Sequence, residues 1–208
     1  MDQVSGLTAG LAGLGTGLSL IVAIGAQNAY VLRQGLRRQH VGVIVAICTV
    51  SDVALIAAGI GGLGALVRHW PHAVAVVAWI GGAFLISYGL RAAVRAVRPD
   101  KLDAARAEGG SRGSLGAAVL TCLALTWLNP HVYLDTVLLI GSAANSYGSG
   151  RWFFAAGAAT GSAIWFSGLG FGARRLARFF ARPRAWSVLD GIIAVTMMVL
   201  GTAMLARA

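Results

Sequence analysis

Long stretches without charged side chains are the feature that most constrains how this chain can fold. Six segments of at least 22 residues contain no base and at most one acid; they are residues 3–32, 41–67, 69–90, 113–150, 152–173 and 185–206. An α-helix rises about 1.5 Å per residue, so each segment can cross a hydrocarbon core about 30 Å thick. The sequence therefore predicts an all-α membrane protein with six transmembrane helices, over residues 5–32, 41–66, 71–93, 115–141, 152–173 and 187–206.

Composition and charge distribution agree with this class. With 57% hydrophobic residues, 12% charged residues and a mean hydropathy of +0.75, the chain does not have the composition of a soluble globular protein. The net charge of +10 does not indicate nucleic-acid binding, because the bases lie between the predicted helices. The links between helices one and two, three and four, and five and six hold 14 of the 17 Lys and Arg residues. The positive-inside rule places those links in the cytoplasm and both termini outside it.

The chain divides at one change in composition, residues 94–114, where charged residues, Gly and Pro replace the apolar pattern. We predict a cytoplasmic linker there, between a first three-helix half, residues 1–93, and a second half, residues 115–208. Because three is an odd number, the second half enters the membrane from the opposite side. The predicted fold is therefore two inverted three-helix repeats, an arrangement in which transporters place their substrate between the repeats.

Two asparagines lie in similar apolar settings, one in each half. Asn129 precedes Pro130, which removes a backbone donor and disfavours helical geometry at the residue before it. Gly25 loosens helix one just before Gln27 and Asn28. We predict that helices one and four are interrupted near Gly25–Asn28 and Asn129–Pro130. The N-terminus of a half-helix carries partial positive charge and suits a carboxylate. The alternative for Asn28 is a helix–helix hydrogen bond worth about 1 kcal/mol.

Three acids fall inside the predicted helices. An ionised acid at the bilayer centre costs about 2.5–3.5 kcal/mol, so Asp52, in the middle of helix two, is expected to face a cavity, a cation or a proton. The alternative is a hydrogen bond to a Ser or Thr. Asp135 shares a helix face with His131, four residues earlier, although it could instead lie at the outer interface. Asp190, near the start of helix six, is expected at the interface. One carboxylate subsite and two acids together fit a basic amino acid.

Neither a metal site nor a disulfide is indicated. Cys48 and Asp52, like His131 and Asp135, are four residues apart, but these pairs do not form a recognisable ligand set. Cys48 and Cys122 fall inside separate predicted helices and offer no disulfide framework. We expect neither a metal nor another cofactor.

Residues 174–186 alternate arginines with apolar and aromatic residues. Each base near an anionic lipid surface contributes about 1 kcal/mol of binding. We expect this segment to contact the anionic inner leaflet of the bilayer.

Four motifs together resemble the lysine/arginine exporter family (LysE/ArgO type). They are residues 25–35 (GAQNAYVLRQG), 51–52 (SD), 126–135 (TWLNPHVYLD) and 150–153 (GRWF). The resemblance implies a bacterial inner-membrane protein that exports L-lysine, L-arginine or both with the proton motive force. Because desolvation favours the protonated form of an acid, we expect Asp52 or Asp135 to carry the coupled proton. The residues expected to contact the substrate are Gly25, Gln27, Asn28, Asp52, Asn129, Pro130, His131, Tyr133 and Asp135.

The predicted function is secondary export by alternating access, without enzymatic activity. Within the transporter class, a neutral amino-acid exporter and a divalent-cation exporter are the alternatives. In the enzyme class, Asp52 and Asp135 could share a proton as an intramembrane aspartyl protease does. The expected partners are the amino acid, protons and lipid, and a homodimer is an assembly that the sequence leaves open.

Overall fold

The computed structural model describes residues 6–22, 25–63, 71–97, 114–176 and 183–207, and within these ranges every regular element is helical. The helices are α1 (Gly6–Ile21), α2 (Ala26–Arg37), α3 (Val41–Ala58), α4 (Pro71–Val97), α5 (Leu115–Trp127), α6 (residues 130–146), α7 (Arg151–Leu176) and α8 (Pro183–Arg207). Beyond Ala58 the chain continues from α3 over Gly59–Leu63 and kinks at Gly62, whose φ of 94° is not helical. A wider π-helical stretch forms the middle of α6 over Tyr133–Ile140. A short 3₁₀ turn, Gly148–Gly150, leads into α7.

Several helices are long and apolar enough to cross a membrane. Among the described residues they are Val41–Gly62, Ala75–Val97 and Ala185–Ala206. The pair α1 and α2, bent by 84°, forms a fourth span if its two parts are counted as one. Helix α5 is apolar but shorter. These features are those of a membrane protein, while the six-span count stays a prediction.

Both predicted helix interruptions are confirmed. Helix α1 ends at Ile21 and α2 begins at Ala26, and α5 ends at Trp127 before α6 begins at Pro130. Proline fits the first position of a helix, because its missing N–H would have no partner there and its φ is already helical. The prediction of a basic link after residue 32 was wrong: α2 remains helical through Arg37, and Arg33 is buried.

Glycines bring the backbones of α1 and α7 into contact. A Cβ atom on Gly13 would lie 1.9 Å from the carbonyl oxygen of Phe154, and one on Gly157 would lie 1.9 Å from that of Gly10. Four-residue glycine spacing predicts such contacts, but Gly168, further along α7, faces open space. The close approach fixes residues 6–17 of α1 against residues 153–161 of α7.

The helices of the two predicted halves pack against one another. Helix α8 lies along α4, and α7 contacts α2 and α3 as well as α1. Buried apolar residues form two clusters, one containing Ala26, Cys48 and Phe166, the other containing Ile140 and Phe154. Residues from both clusters line one cavity, which therefore lies between them.

Two predicted segments lie partly outside the described residues. Helix α4 continues to Val97, so residues 98–113 of the predicted linker are not described. Of the basic segment 174–186, residues 177–182 are not described, and α8 begins at Pro183. The Trp186 ring lies beneath the guanidinium of Arg37, with the central carbon 5.6 Å from the ring centroid, which joins α8 to the end of α2.

Candidate functional site

A cavity of about 240 Å³ brings together residues from both interrupted helices and from α3 and α7. Seven of the nine predicted site residues line it: Gly25, Gln27, Asn28, Asp52, Asn129, His131 and Asp135. The rest of the lining is largely apolar and comprises Leu20, Ile21, Ala26, Val132, Thr136, Ile140, Phe166 and Leu200. An apolar wall with a few converging polar groups is typical of a small-molecule site.

The interruption of helix one places the start of α2 at this cavity. Gly25 has an extended backbone, with φ −127° and ψ 174°, and its carbonyl oxygen accepts the first bond of α2 from the Ala29 N–H at 3.1 Å. The N–H groups of Ala26 and Gln27 therefore have no acceptor within α2. Because α2 starts here, the positive end of its dipole lies at the cavity wall.

Asn28 holds the two parts of the interrupted helix together. Its Nδ2 donates to the carbonyl oxygen of Ile21, the last residue of α1, at 2.7 Å. Its Oδ1 accepts a hydrogen bond from the indole Nε1 of Trp165 at 3.2 Å. The helix–helix hydrogen bonding that was the alternative for Asn28 is therefore present. Asn28 therefore lines the cavity, but both its Nδ2 and its Oδ1 are already hydrogen-bonded within the protein.

Asn129 has a different position relative to its helix. Its Oδ1 accepts from the backbone N–H of His131 at 3.1 Å, and its carbonyl oxygen accepts from Val132 N at 3.1 Å, so it is the N-cap of α6. In α2 the corresponding position is that of Gly25, whereas Asn28 is the third helical residue. The two asparagines are thus not structurally equivalent, although their sequence settings are similar.

Gln27 contributes an unused donor. Its Nε2 is buried and makes no hydrogen bond of standard geometry among the described residues; its side chain interacts with the thiol of Cys48, which is a weak acceptor. Buried donors nearly always find an acceptor, so such a group beside a cavity points to an acceptor supplied by a ligand. Together with the first-turn N–H groups of α2, it forms a side of the cavity suited to a carboxylate.

Asp52 contributes an acidic group to the cavity lining. Its side chain is buried at 6% exposure, and its Oδ2 accepts a hydrogen bond of 2.6 Å from the hydroxyl of Ser162 on α7. The expected cavity-facing position and the alternative of a serine partner are thus both observed. The ion pairs found among the described residues join Arg33 and Arg95 to Asp190 and do not involve Asp52.

The remaining predicted residues lie on or beside α6. His131 and Asp135 line the cavity from the same helix face, with Asp135 half-buried rather than at a solvated surface. Pro130 begins α6 directly before His131. Tyr133 is not among the lining residues; its hydroxyl donates to the carbonyl oxygen of Trp127 at 2.7 Å, across the break between α5 and α6. Its expected substrate contact has no counterpart in this arrangement.

Four residues near the site were missed by the sequence reasoning. Thr136 and Phe166 line the cavity, and Ser162 and Trp165 bind lining residues. Thr136 could have been found from its place beside Asp135. The residues of α7 offered no signal, because isolated Ser, Trp and Phe residues in an apolar helix usually serve packing.

Asp190 and the cysteines also differ from expectation. Asp190 is buried at 4% exposure and bound to two arginines, which the sequence did not indicate, while its predicted position at the membrane interface stays a prediction. Cys48 and Cys122 are free thiols, but their Sγ atoms lie 3.5 Å apart, a contact between α3 and α5 that their spacing did not indicate. Among the described residues, no group of three or more His, Cys, Asp or Glu side chains could hold a metal ion.

Comparison with known proteins gives a consistent set of similarities. The family model described as LysE type translocator matches residues 18–207. A Mycobacterium tuberculosis (strain ATCC 25618 / H37Rv) protein, with the provisional name of amino-acid transporter Rv0488, is 54% identical over 181 residues, which cover 87% of this chain and 89% of the relative. No solved structure matches the chain.

Two further relatives carry more specific names. The arginine exporter protein ArgO of Klebsiella pneumoniae subsp. pneumoniae is 40% identical over 187 residues, covering 89% of this chain and 87% of the relative. The lysine exporter LysE of Corynebacterium diphtheriae is 35% identical over 217 residues, covering 91% of this chain and 95% of the relative. The similarity thus extends over nearly the full length of each protein.

Proposed function

The chain belongs to the LysE type translocator family, and from this membership and its cavity we propose that it exports basic L-amino acids, arginine or lysine or both, from the cytoplasm. The observation that carries the proposal is that acidic groups and hydrogen-bond donors line the same cavity. Asp52 and Asp135 supply negative charge, while Gln27 and the start of α2 supply hydrogen-bond donors. The names of the relatives, an arginine exporter and a lysine exporter, support the same substrates.

The substrate's zwitterionic end is proposed to lie against α2. Its carboxylate accepts from Gln27 Nε2 and from the first-turn N–H groups of α2, where the helix dipole favours negative charge. Its α-ammonium group and cationic side chain lie toward Asp52 and Asp135. A charged hydrogen bond contributes more than a neutral one, so two acids favour a dibasic solute over a neutral amino acid.

Export is proposed to occur by alternating access and to be driven by protons. In this scheme the two inverted halves, residues 1–93 and 115–208, form six spans and expose the cavity to each side of the membrane in turn. After the cationic substrate leaves to the outside, Asp52 or Asp135 takes a proton there. The return step carries that proton inward, and its release leaves the carboxylate ready for the next substrate.

The proposed orientation places both termini outside the cytoplasm, in a bacterial inner membrane. The described bases near the ends of α2 and α4 then face the cytoplasmic side, where anionic lipid would attract them. Membership in a translocator family supports transport over intramembrane proteolysis. In this proposal Asp52 and Asp135, the two acids that a protease would need, bind the cationic groups of the substrate.

The test is transport by purified protein in proteoliposomes loaded with unlabelled arginine or lysine. We expect uptake of labelled arginine or lysine in exchange, and no exchange of leucine or Mn²⁺. Asp52→Asn and Asp135→Asn should abolish exchange, because each removes a negative charge from the cavity. Asp103→Asn, in the predicted linker, makes the same chemical change and should transport normally. Wild-type exchange of leucine or Mn²⁺ alone, or normal exchange by both cavity variants, would refute the proposal.

A further inference from the structure

Three side chains of α7 contact the cavity or the residues that line it. Ser162, Trp165 and Phe166 are three and four residues apart and therefore share one helix face. Ser162 donates to Asp52, Trp165 donates to Asn28, and Phe166 lines the cavity. One face of α7 thus contacts an acid of α3, the break at the start of α2 and the cavity itself.

The hydroxyl of Ser162 has a different kind of acceptor from eight other helical hydroxyls among the described residues. Eight of them donate to a backbone carbonyl three or four residues earlier, namely Ser19, Ser87, Thr121, Thr126, Ser142, Ser146, Thr160 and Thr202. That local bond is the usual one for Ser and Thr inside a helix. Ser162, which is fully buried, instead donates across to Oδ2 of Asp52 at 2.6 Å.

Backbone contacts hold α7 in place against the helices whose side chains it binds. A Cβ atom on Gly35 of α2 would lie 2.3 Å from the carbonyl oxygen of Gly170, and one on Gly170 would lie 2.8 Å from Cγ2 of Val45 on α3. With the contacts between α1 and α7 around Gly157, these fix the helix on three sides. A side chain on so constrained a helix can set the direction of a partner's functional group.

We propose that Ser162 and Trp165 are positioning residues: Ser162 holds the Asp52 carboxylate toward the transported solute, Trp165 holds the start of α2 at the cavity through Asn28, and both thereby set the affinity for the solute. Ser162 binds Oδ2 of Asp52, which leaves the other oxygen of this cavity-lining acid outside that hydrogen bond. Trp165 holds Oδ1 of Asn28 while Ile21 holds Nδ2, which fixes the break between α1 and α2. The identity of the solute rests on the proposed function, whereas the positioning of Asp52 does not.

The first arm of the test measures transport kinetics in proteoliposomes. Ser162→Ala should raise KM for arginine or lysine about tenfold, the loss expected for one hydrogen bond to a charged group. The maximal rate should change little. The KM of Ser162→Cys, in which the thiol is a weaker donor of similar size, should lie between those of the wild type and Ser162→Ala. Trp165→Phe should also raise KM. The matched control is Thr160→Ala on the same helix, whose hydroxyl donates to its own backbone at Ala156 and which should keep the wild-type KM.

The second arm needs no substrate. Dicyclohexylcarbodiimide couples to carboxyl groups in apolar surroundings, and mass spectrometry reports the modified fraction of Asp52. Removal of the Ser162 hydroxyl frees Oδ2, so Ser162→Ala should label faster than wild type, and Thr160→Ala should not. Unchanged labelling, unchanged KM, or equal effects from Ser162→Ala and Thr160→Ala would each overturn the inference. If wild type exchanges neither arginine nor lysine, the proposed function fails, while the labelling rates still decide whether Ser162 positions Asp52.

Discussion

Arg33 on α2 and Asp190 on α8 form a buried ion pair although 157 residues separate them in the chain. Arg95, near the end of α4, adds a second contact to the same carboxylate oxygen at 3.3 Å. The guanidinium of Arg95 also lies over the Tyr88 ring, 5.8 Å from its centroid. One acid therefore joins three helices and supplies counter-charge to the buried Arg33 and the partly buried Arg95.

Removal of this acid is expected to destabilise the protein strongly. Asp190→Asn removes the carboxylate that pairs with the buried guanidinium of Arg33 and the partly buried one of Arg95, and breaking a buried pair in this way costs about 3–5 kcal/mol. We expect a clearly lower midpoint of thermal unfolding in detergent. A control is Arg91→Gln, because Arg91 lies on the same helix as Arg95 but is exposed. Equal midpoints for Asp190→Asn and Arg91→Gln would show that the ion pair does not stabilise the fold.

The features that could be predicted from the sequence are those with a local physical cause. A long apolar segment with at most one charged residue can form a membrane helix whatever its neighbours in the fold are, and each of the six predicted segments is helical over most of its described residues. The break at Asn129–Pro130 follows from the geometry of proline, and that near Gly25 from the weak helix propensity of glycine. The residues at these breaks and the two acids Asp52 and Asp135 accordingly line one cavity.

The features that could not be predicted depend on contacts between distant segments. A serine in an apolar helix gives no indication of its partner, so the bond from Ser162 to Asp52 was not foreseen. The equivalence of Asn28 and Asn129 was inferred from similar neighbours, but the position of a residue relative to a helix start depends on where the preceding helix ends. Although their neighbours in the sequence are similar, Asn129 is the N-cap of α6 and Asn28 is the third residue of α2.

The contact between α1 and α7 gives a second prediction. Gly157→Ala places a methyl group 1.9 Å from the carbonyl oxygen of Gly10, which forces the helices apart and should cost about 1–3 kcal/mol. Gly168→Ala on the same helix meets open space and improves helix propensity by about 1 kcal/mol, so it should be neutral or stabilising. Thermal unfolding of the two variants measures the difference. A midpoint for Gly157→Ala at or above that of Gly168→Ala would contradict the close approach.

The unpartnered donor of Gln27 gives a third prediction, which separates binding from stability. Gln27→Leu removes a buried Nε2 that, among the described residues, has at most the weak acceptor Cys48 beside it, so the unfolding midpoint should fall little or not at all. If that group binds the substrate carboxylate, KM for arginine or lysine should rise roughly fivefold, as expected for a neutral hydrogen bond. The control is Gln34→Leu on the same helix, where a buried Oε1 also lacks a partner but the residue does not line the cavity. Similar KM values for the two variants would remove Gln27 from the site.

The cysteine pair offers a fourth prediction, on the movement of the halves. Cys48 on α3 and Cys122 on α5 belong to different predicted halves, and their Sγ atoms are 3.5 Å apart, close enough for a disulfide to form after a small shift. Oxidation by oxygen with copper–phenanthroline should join them. With a protease site inserted after residue 104, the cleaved halves should then migrate together on a non-reducing gel and separate after reduction.

Because alternating access requires the halves to move, oxidation should also stop transport reversibly. Cys48→Ser is the control, and it should resist both effects. Separation of the oxidised halves would refute the contact, whereas full transport by the cross-linked protein would refute a movement between α3 and α5.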